Sequence, residues 1–267
     1  GSYAGSGGSI YLITGKLSGN GKISAGSPGN TPVSTGGGGR IALILTNSAD
    51  WGDVSLSAAS APASGSSYSG AAGTIYVQTP GQGAGGGTLL INAEGVVASP
   101  LSTTLINDKV TDTVVGDLIN TNSARLKIAA GQSLTVLGDW RNHAAFEGLD
   151  AGATVILAGP RPATVTGDNA FGNLTAGAPG KTITFADGSQ TSVQGALILN
   201  GGSLVSGGVA PWYLTLGEAG IQEIGSVAVR NCDASGGQTL YAGTRSTDLG
   251  GNDNWVFPSS GTLLLVR

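Results

Sequence analysis

The chain has 267 residues, with 48 Gly, 10 Pro, and 12 Lys and Arg against 16 Asp and Glu, for a net charge of −4. Glycine follows no three-residue period, which excludes a collagen helix, and 40% hydrophobic against 10% charged residues reverses the balance of a disordered chain. The sparse basic residues form no stripe for nucleic acid, no apolar run approaches the ~20 residues of a membrane span, and a lone Cys232 excludes an internal disulfide framework.

Three copies of one phrase open the chain: a Gly-rich lead, a short apolar strand, a Gly-led turn and a second strand. The leads and first strands are Gly7-Gly8-Ser9-Ile10-Tyr11-Leu12, Gly38-Gly39-Arg40-Ile41-Ala42-Leu43 and Ala72-Gly73-Thr74-Ile75-Tyr76-Val77. The equivalent Ile10, Ile41 and Ile75 lie 31 and 34 residues apart, a spacing that predicts a solenoid. The second strands are predicted over 21–25, 54–58 and 88–93, each ending in Ala. Between repeats, 26–37 and 59–70 are loops of small residues. They contain Pro28, Pro32 and Pro62, which cannot donate to a central ladder.

Residues 96–130 are less regular, with Asp108, Asp112 and Asp117 punctuating short apolar pairs, and read as a change of repeat type. From 131 the rhythm returns with shorter steps. Strands are predicted at 133–137, 153–157, 163–166, 181–185, 192–193, 196–199, 203–205, 213–216, 227–229 and 239–241, separated by turns such as Gly167-Asp168-Asn169 and Asn200-Gly201-Gly202. Asn252-Asp253-Asn254-Trp255-Val256-Phe257 reads as a closing strand that caps the stack. Beyond it, 258–267 carries the apolar run Leu263, Leu264, Leu265 and Val266, which reads as a last coil or the start of a further region, or as an edge strand that self-associates with another chain.

The predicted fold is all-β, a parallel β-helix or solenoid over 1–257. Long Gly-rich repeats fill 1–95, the transition 96–130, and shorter coils 131–257. An antiparallel sandwich or propeller is the competing architecture. Propeller blades carry longer repeats with an aromatic signature, whereas Trp51, Trp140, Trp212 and Trp255 are irregularly spaced.

The phrase Gly36-Gly37-Gly38-Gly39-Arg40-Ile41 resembles that of large secreted bacterial β-helix surface proteins. So does the ending Asn231-Cys232-Asp233-Ala234-Ser235-Gly236-Gly237 followed by Thr247-Asp248-Leu249-Gly250-Gly251-Asn252-Asp253-Asn254-Trp255. In general plan the chain is similar to filamentous-haemagglutinin and autotransporter-passenger adhesins. The resemblance implies a right-handed β-helix and an extracellular location, and brings no catalytic residues with it.

Chemistry is thinly represented. His143 is the one histidine and has no nucleophile elbow to serve, so it is expected in a solvated loop. Cys232 is expected to be buried as a small apolar group. One His and one Cys cannot assemble a usual transition-metal ligand set. The paired carboxylates of a glycosidase would have to come from Asp50 with Asp53, Asp139 with Glu147 or Asp150, or Glu218 with Glu223. A lyase would draw on Arg125 with Lys127, or on Arg141 near Asp139. Asp248, Asn252 and Asp253 form the oxygen-rich turn that is the calcium candidate, although Asx-turns account for the same residues. Gly36–Gly39 and Gly83–Gly87 precede neither a Gly-Lys-Ser/Thr triplet nor a helix, so they are not phosphate loops. Trp51, Trp140 and Trp212 are candidates for stacking on sugar rings, with core packing as the ordinary alternative.

These features predict a non-enzymatic extracellular structural or adhesive surface protein, capable of self-association into filaments, or of binding other cell-surface proteins or glycans. The alternative is a polysaccharide lyase or hydrolase, or a carbohydrate-binding module, on the same scaffold.

Overall fold

The computed structural model describes residues 5–29, 34–64 and 68–258, and the fold is a parallel β-solenoid. The predicted edge strand at Leu263, Leu264, Leu265 and Val266 lies outside the described residues. One eleven-stranded sheet runs the length of the molecule. Its strands, in spatial order, are Ser9–Thr14, Arg40–Leu45, Thr74–Gln78, Thr88–Asn92, Asp117–Thr121, Trp140–Asn142, Ala163–Thr166, Thr182–Phe185, Ser203–Ser206, Ala228–Arg230 and Thr247–Asp248. The repeat register is as predicted: Ile10 lies opposite Ile41, and Ile41 opposite Ile75.

The first three strands belong to a flat stack. Its second layer is Lys22–Ser24 paired in parallel with Ser55–Ser57. The glycine leads let the layers touch backbone to backbone. Gly39 N–H donates to Ala25 C=O at 2.8 Å and Gly73 N–H to Ala58 C=O at 2.7 Å. A Cβ on Gly38 would overlap the Ala58 carbonyl and the Gly73 amide. Glycine is required here for close approach, and the Ala that ends each second strand is the small residue it meets.

The third repeat breaks the pattern. Thr88–Asn92, predicted to stack as a second strand, instead pairs antiparallel with Thr74–Gln78 in the long sheet, with Ile75 opposite Leu90 and Tyr76 opposite Leu89. The intervening Gly-rich segment turns the chain back as a hairpin. Strand composition carries no direction, so a run that reads as "next layer" reads equally well as "return strand".

The reversal moves the core to the other face of the sheet. Before it, Ile41 and Ile75 pack with Ala25, Ala58 and Leu90. After it, Ile91, Leu118 and Trp140 pack into a second, larger core, with Leu89 against them. Opposed residues of an antiparallel pair share a face, so Leu89 and Ile91 lie on the side of Tyr76, the outer side of the first stack. Because strand direction and core side both reverse, the sense of winding is the same in both stacks.

The second stack has three faces. The long sheet is one. A second carries Thr104–Ile106, Arg125–Ile128 and Ala145–Glu147, and then Asn169–Phe171, Gln190–Val193, Trp212–Leu216 and Cys232–Asp233. The third carries Val114–Val115, Ser133–Val136, Thr154–Leu157, Asn173–Ala176, Ala196–Leu199 and Ile221–Ile224. Alternation is strict in many of these strands, as in Thr154–Leu157, Thr182–Phe185 and Ala196–Leu199, where the second and fourth residues are buried. An internal asparagine ladder supports one corner. Asn120 Nδ2 donates to Asn142 Oδ1 at 2.9 Å, and Asn142 Nδ2 to Asn169 Oδ1 at 3.2 Å. Buried Lys181 ties another corner by donating to the carbonyls of Leu137, Ala158 and Arg161 at 3.1, 2.9 and 2.7 Å. Desolvation lowers its pKa below the usual lysine value. At the far end Trp255–Val256 pairs with Leu240–Tyr241, and the Trp255 ring stacks on Phe257 at 5.7 Å.

Candidate functional site: an apolar groove at the junction

Where the core changes sides, the long sheet has an outer face that continues the line of the second core. The first strands are apolar on both faces. Arg40–Leu45 buries Ile41, Leu43 and Leu45 and turns Ala42 and Ile44 outward. In the neighbouring strands Tyr11 and Tyr76 align with Ala42. Tyr11 is 70% exposed and Ile13, on the same face, 56%. Tyr11, Ala42, Ile44 and Tyr76 floor a groove of about 940 Å³ that runs on to Leu89 and Ile91 and ends against Leu126 and Leu134 of the second core. One rim is the stacked glycine leads, Gly7-Gly8, Gly37–Gly39 and Ala71–Gly73; the loop at 109–113 and the strand Val114–Val115 form another wall.

The floor is stiff. Tyr76 Oη donates to Gln78 Oε1 and accepts from Gly87 N–H, both at 2.9 Å. Gln82 in the hairpin then accepts from Thr79 N–H through Oε1 at 2.8 Å. Charge is sparse and peripheral: Arg40, Lys109 and Asp112. Arg40 Nε donates to Ser9 Oγ, and Lys109 pairs with Asp108. Such a groove suits an extended apolar ligand.

The residues singled out for catalysis lie elsewhere, and several are engaged in coil-to-coil bonds. Asp117 Oδ1 accepts Asp139 N–H at 2.7 Å and pairs with Arg161 at 2.5 Å. Asp139 Oδ1 accepts Thr164 N–H at 2.8 Å, and its other oxygen pairs with Arg141 at 2.5 Å. On the second face Arg125 pairs with Glu147, and Lys127 with Asp150 at 3.1 Å. Asp50 accepts the Gly52 amide in its own turn. Asp53, Glu218 and Glu223 are exposed. His143 is exposed too, with Nε2 3.2 Å from Thr166 Oγ1. Cys232 is fully buried, and desolvation pushes its thiol up to about 12.

In the calcium candidate, Asp248 Oδ1 accepts from Gly250 N–H and Asn252 Nδ2, at 2.8 and 2.6 Å, and Asn252 Oδ1 accepts Cys232 N–H at 3.0 Å. Asp253 bridges to Asp233 in the ladder. Among the described residues no group of three or more His, Cys, Asp or Glu is placed to hold a metal ion, and no helix is long and apolar enough to cross a membrane.

Two of the three sugar-stacking candidates need correction. Trp140 and Trp212 have no exposed surface. Trp140 packs edge-on to Phe146 and Phe171 at 5.0 and 5.5 Å and donates Nε1–H to Asn169 Oδ1 at 2.7 Å. Trp212 stacks on Phe185 at 3.8 Å and donates to Arg230 C=O. Both sit at inward positions of their strands, so protein already covers their rings. Trp51 is half-buried beside the Asp50 turn.

The groove was missed in the sequence, but it left a signal there. Ile41-Ala42-Leu43-Ile44-Leu45 is apolar at every position, and Ile10-Tyr11-Leu12-Ile13 likewise. Continuous runs of this kind mark strands with apolar surroundings on both faces. Searches against protein families, curated proteins and solved structures return no match for this chain.

Proposed function

We propose that this chain is a non-enzymatic, extracellular structural or adhesive surface module, of the general kind its Gly-rich phrases resemble, with the junction groove as its contact surface. One observation carries the reading: the groove of about 940 Å³ among the described residues is mostly apolar, while Asp139, Glu147, Asp150, Arg125 and Lys127 are engaged in coil-to-coil bonds away from it. Low charge and a surface rich in Gly, Ser and Thr fit an exported location. Carbohydrate binding is the second reading, favoured by the exposed ring of Tyr11 at one end of the floor.

The test combines an activity screen on uronate polymers, a glycan array, and binding to intact cell surfaces. Cell-surface binding without turnover, lost in Tyr11→Asp, supports the proposal. Turnover that Asp139→Ala abolishes would sink it in favour of an enzyme. Glycan retention that Tyr11→Ala removes would favour the carbohydrate module.

A further inference from the structure

The two outer faces of the one long sheet differ in composition. In the second stack the outward positions include Arg141, Thr164, Thr166, Thr182, Thr184 and Ser203, mostly hydroxyl-bearing residues that solvate readily. In the first stack the apolar outward positions are Tyr11, Ile13, Ala42, Ile44 and Tyr76, flanked on the same face by Ser9, Arg40, Thr74 and Gln78. Water is an adequate partner for the former. An apolar floor of this extent marks a contact surface.

We propose that the occupant is the segment Thr262–Val266 of a second copy of this chain, joined head to tail. It rests on reading the groove as a contact surface, and does not depend on which outside ligand the module meets. Leu263-Leu264-Leu265-Val266 is apolar at consecutive positions. An extended strand turns alternate side chains to opposite sides, so such a run can meet the floor with one set and the rims with the other. Arg267 follows it, and Asp112 on the groove wall offers a carboxylate to that guanidinium.

Geometry decides between the chain's own groove and a partner's. Seven strand steps separate Thr247–Asp248 from Thr88–Asn92, and two more reach Arg40–Leu45. At ~4.8 Å per step the middle of the floor is about 43 Å away along the stack. The nine residues from 259 to 267 span at most about 31 Å when fully extended. The segment cannot reach its own floor. The 262–266 segment and the groove are different surfaces of the chain, so a contact between them across two copies is heterologous and extends into a ring or filament.

Two variants test it. Ala42→Arg places a charged side chain on the floor, and Leu264→Asp charges the tail. Sedimentation velocity is expected to show concentration-dependent assembly of the unsubstituted chain, with each variant alone associating at least tenfold more weakly. Mixed, the two restore one contact, because the first keeps a tail and the second a groove, and a 1:1 dimer forms that grows no further. Tyr11→Asp, at a well-exposed floor position, repeats the groove block should Ala42→Arg lose its circular dichroism spectrum. The inference is overturned by a chain that stays monomeric at all concentrations, by variants that assemble like the parent, or by a mixture that stays monomeric. Cell-surface binding retained by the monomeric Leu264→Asp chain would separate this contact from the adhesive function.

Discussion

Gly38→Ala is the substitution that most directly probes how the first stack is built. Its Cβ would overlap the Ala58 carbonyl on one side and the Gly73 amide on the other, both of them backbone. Neither can rotate away as a side chain could, so relief requires the two layers to part. Parting them strains the bonds Gly39 N–H to Ala25 C=O, Gly73 N–H to Ala58 C=O and Gly38 N–H to Ala71 C=O. At ~1 kcal/mol net for each bond, with ~1 kcal/mol or more of overpacking, the expected loss is about 4 kcal/mol. Gly8→Ala is the matched control, because nothing lies within 4 Å of the added Cβ. It is expected to be neutral or to stabilise by about 0.5 kcal/mol through the unfolded state. Stability in a stack is a sum over neighbouring coils, so urea titration should be read by hydrogen exchange on separate segments. Gly38→Ala should speed exchange across 36–60 and leave 163–230 close to the parent. A Gly38→Ala protein with the same midpoint and local exchange as Gly8→Ala would refute the close-packing account of these glycines.

Three further outcomes follow from the second stack. Asn142→Ala removes a central rung of the asparagine ladder and is expected to cost about 2–3 kcal/mol in urea unfolding; a loss under ~0.5 kcal/mol, the scale of a surface change, would mean the ladder is decorative. Cys232 should stay unmodified by a thiol-specific disulfide reagent at pH 8 and react once urea unfolds the coil, since its thiol is buried and pushed up to about 12; rapid labelling of the native protein would contradict that burial. Asp187 has its pKa held below the usual value first by the Ser206 hydroxyl, and also by backbone amides that include those of Gly208 and Ala210. Its folded pKa lies below its unfolded one, so its contribution is present above about pH 4 and lost as pH falls through the folded pKa. Asp187→Asn should therefore flatten the acid limb of a melting-temperature profile, and an unchanged limb would refute the assignment.

The sequence made the parallel stack legible because repetition survives folding. Ile10, Ile41 and Ile75 recur at steps of 31 and 34 residues and end in one register. The antiparallel hairpin was illegible for a physical reason. Thr88–Asn92 has the composition of a second layer, and a two-residue alternation is the same read in either direction. The groove follows from that reversal, so it could not be placed before the hairpin was known, although the doubly apolar strand at 41–45 hinted at a second apolar surface. Trp140 and Trp212 failed as sugar platforms because alternation says which residues share a face, not which face looks inward.

Several Asp and Asn side chains of the second stack share one structural role. A parallel ladder is interrupted at each corner, where backbone N–H groups lose their regular partners and still need acceptors. Short Asp and Asn side chains from the adjacent coil supply them. Asp117 accepts Asp139 N–H, Asp139 accepts Thr164 N–H, Asp168 accepts Gln190 N–H, Asn173 accepts Ala196 N–H and Asn252 accepts Cys232 N–H. Four of these five bonds run from one coil to the next with separations of 22 to 25 residues, and the fifth runs back from Asn252 over 20. Acids spaced at the coil period thus face neighbouring coils by construction, which is also how a two-carboxylate active site would look in the sequence. The distinction lies in the amide that each acid meets. An acid whose oxygen is engaged by a neighbouring coil's N–H serves as a corner tie between coils.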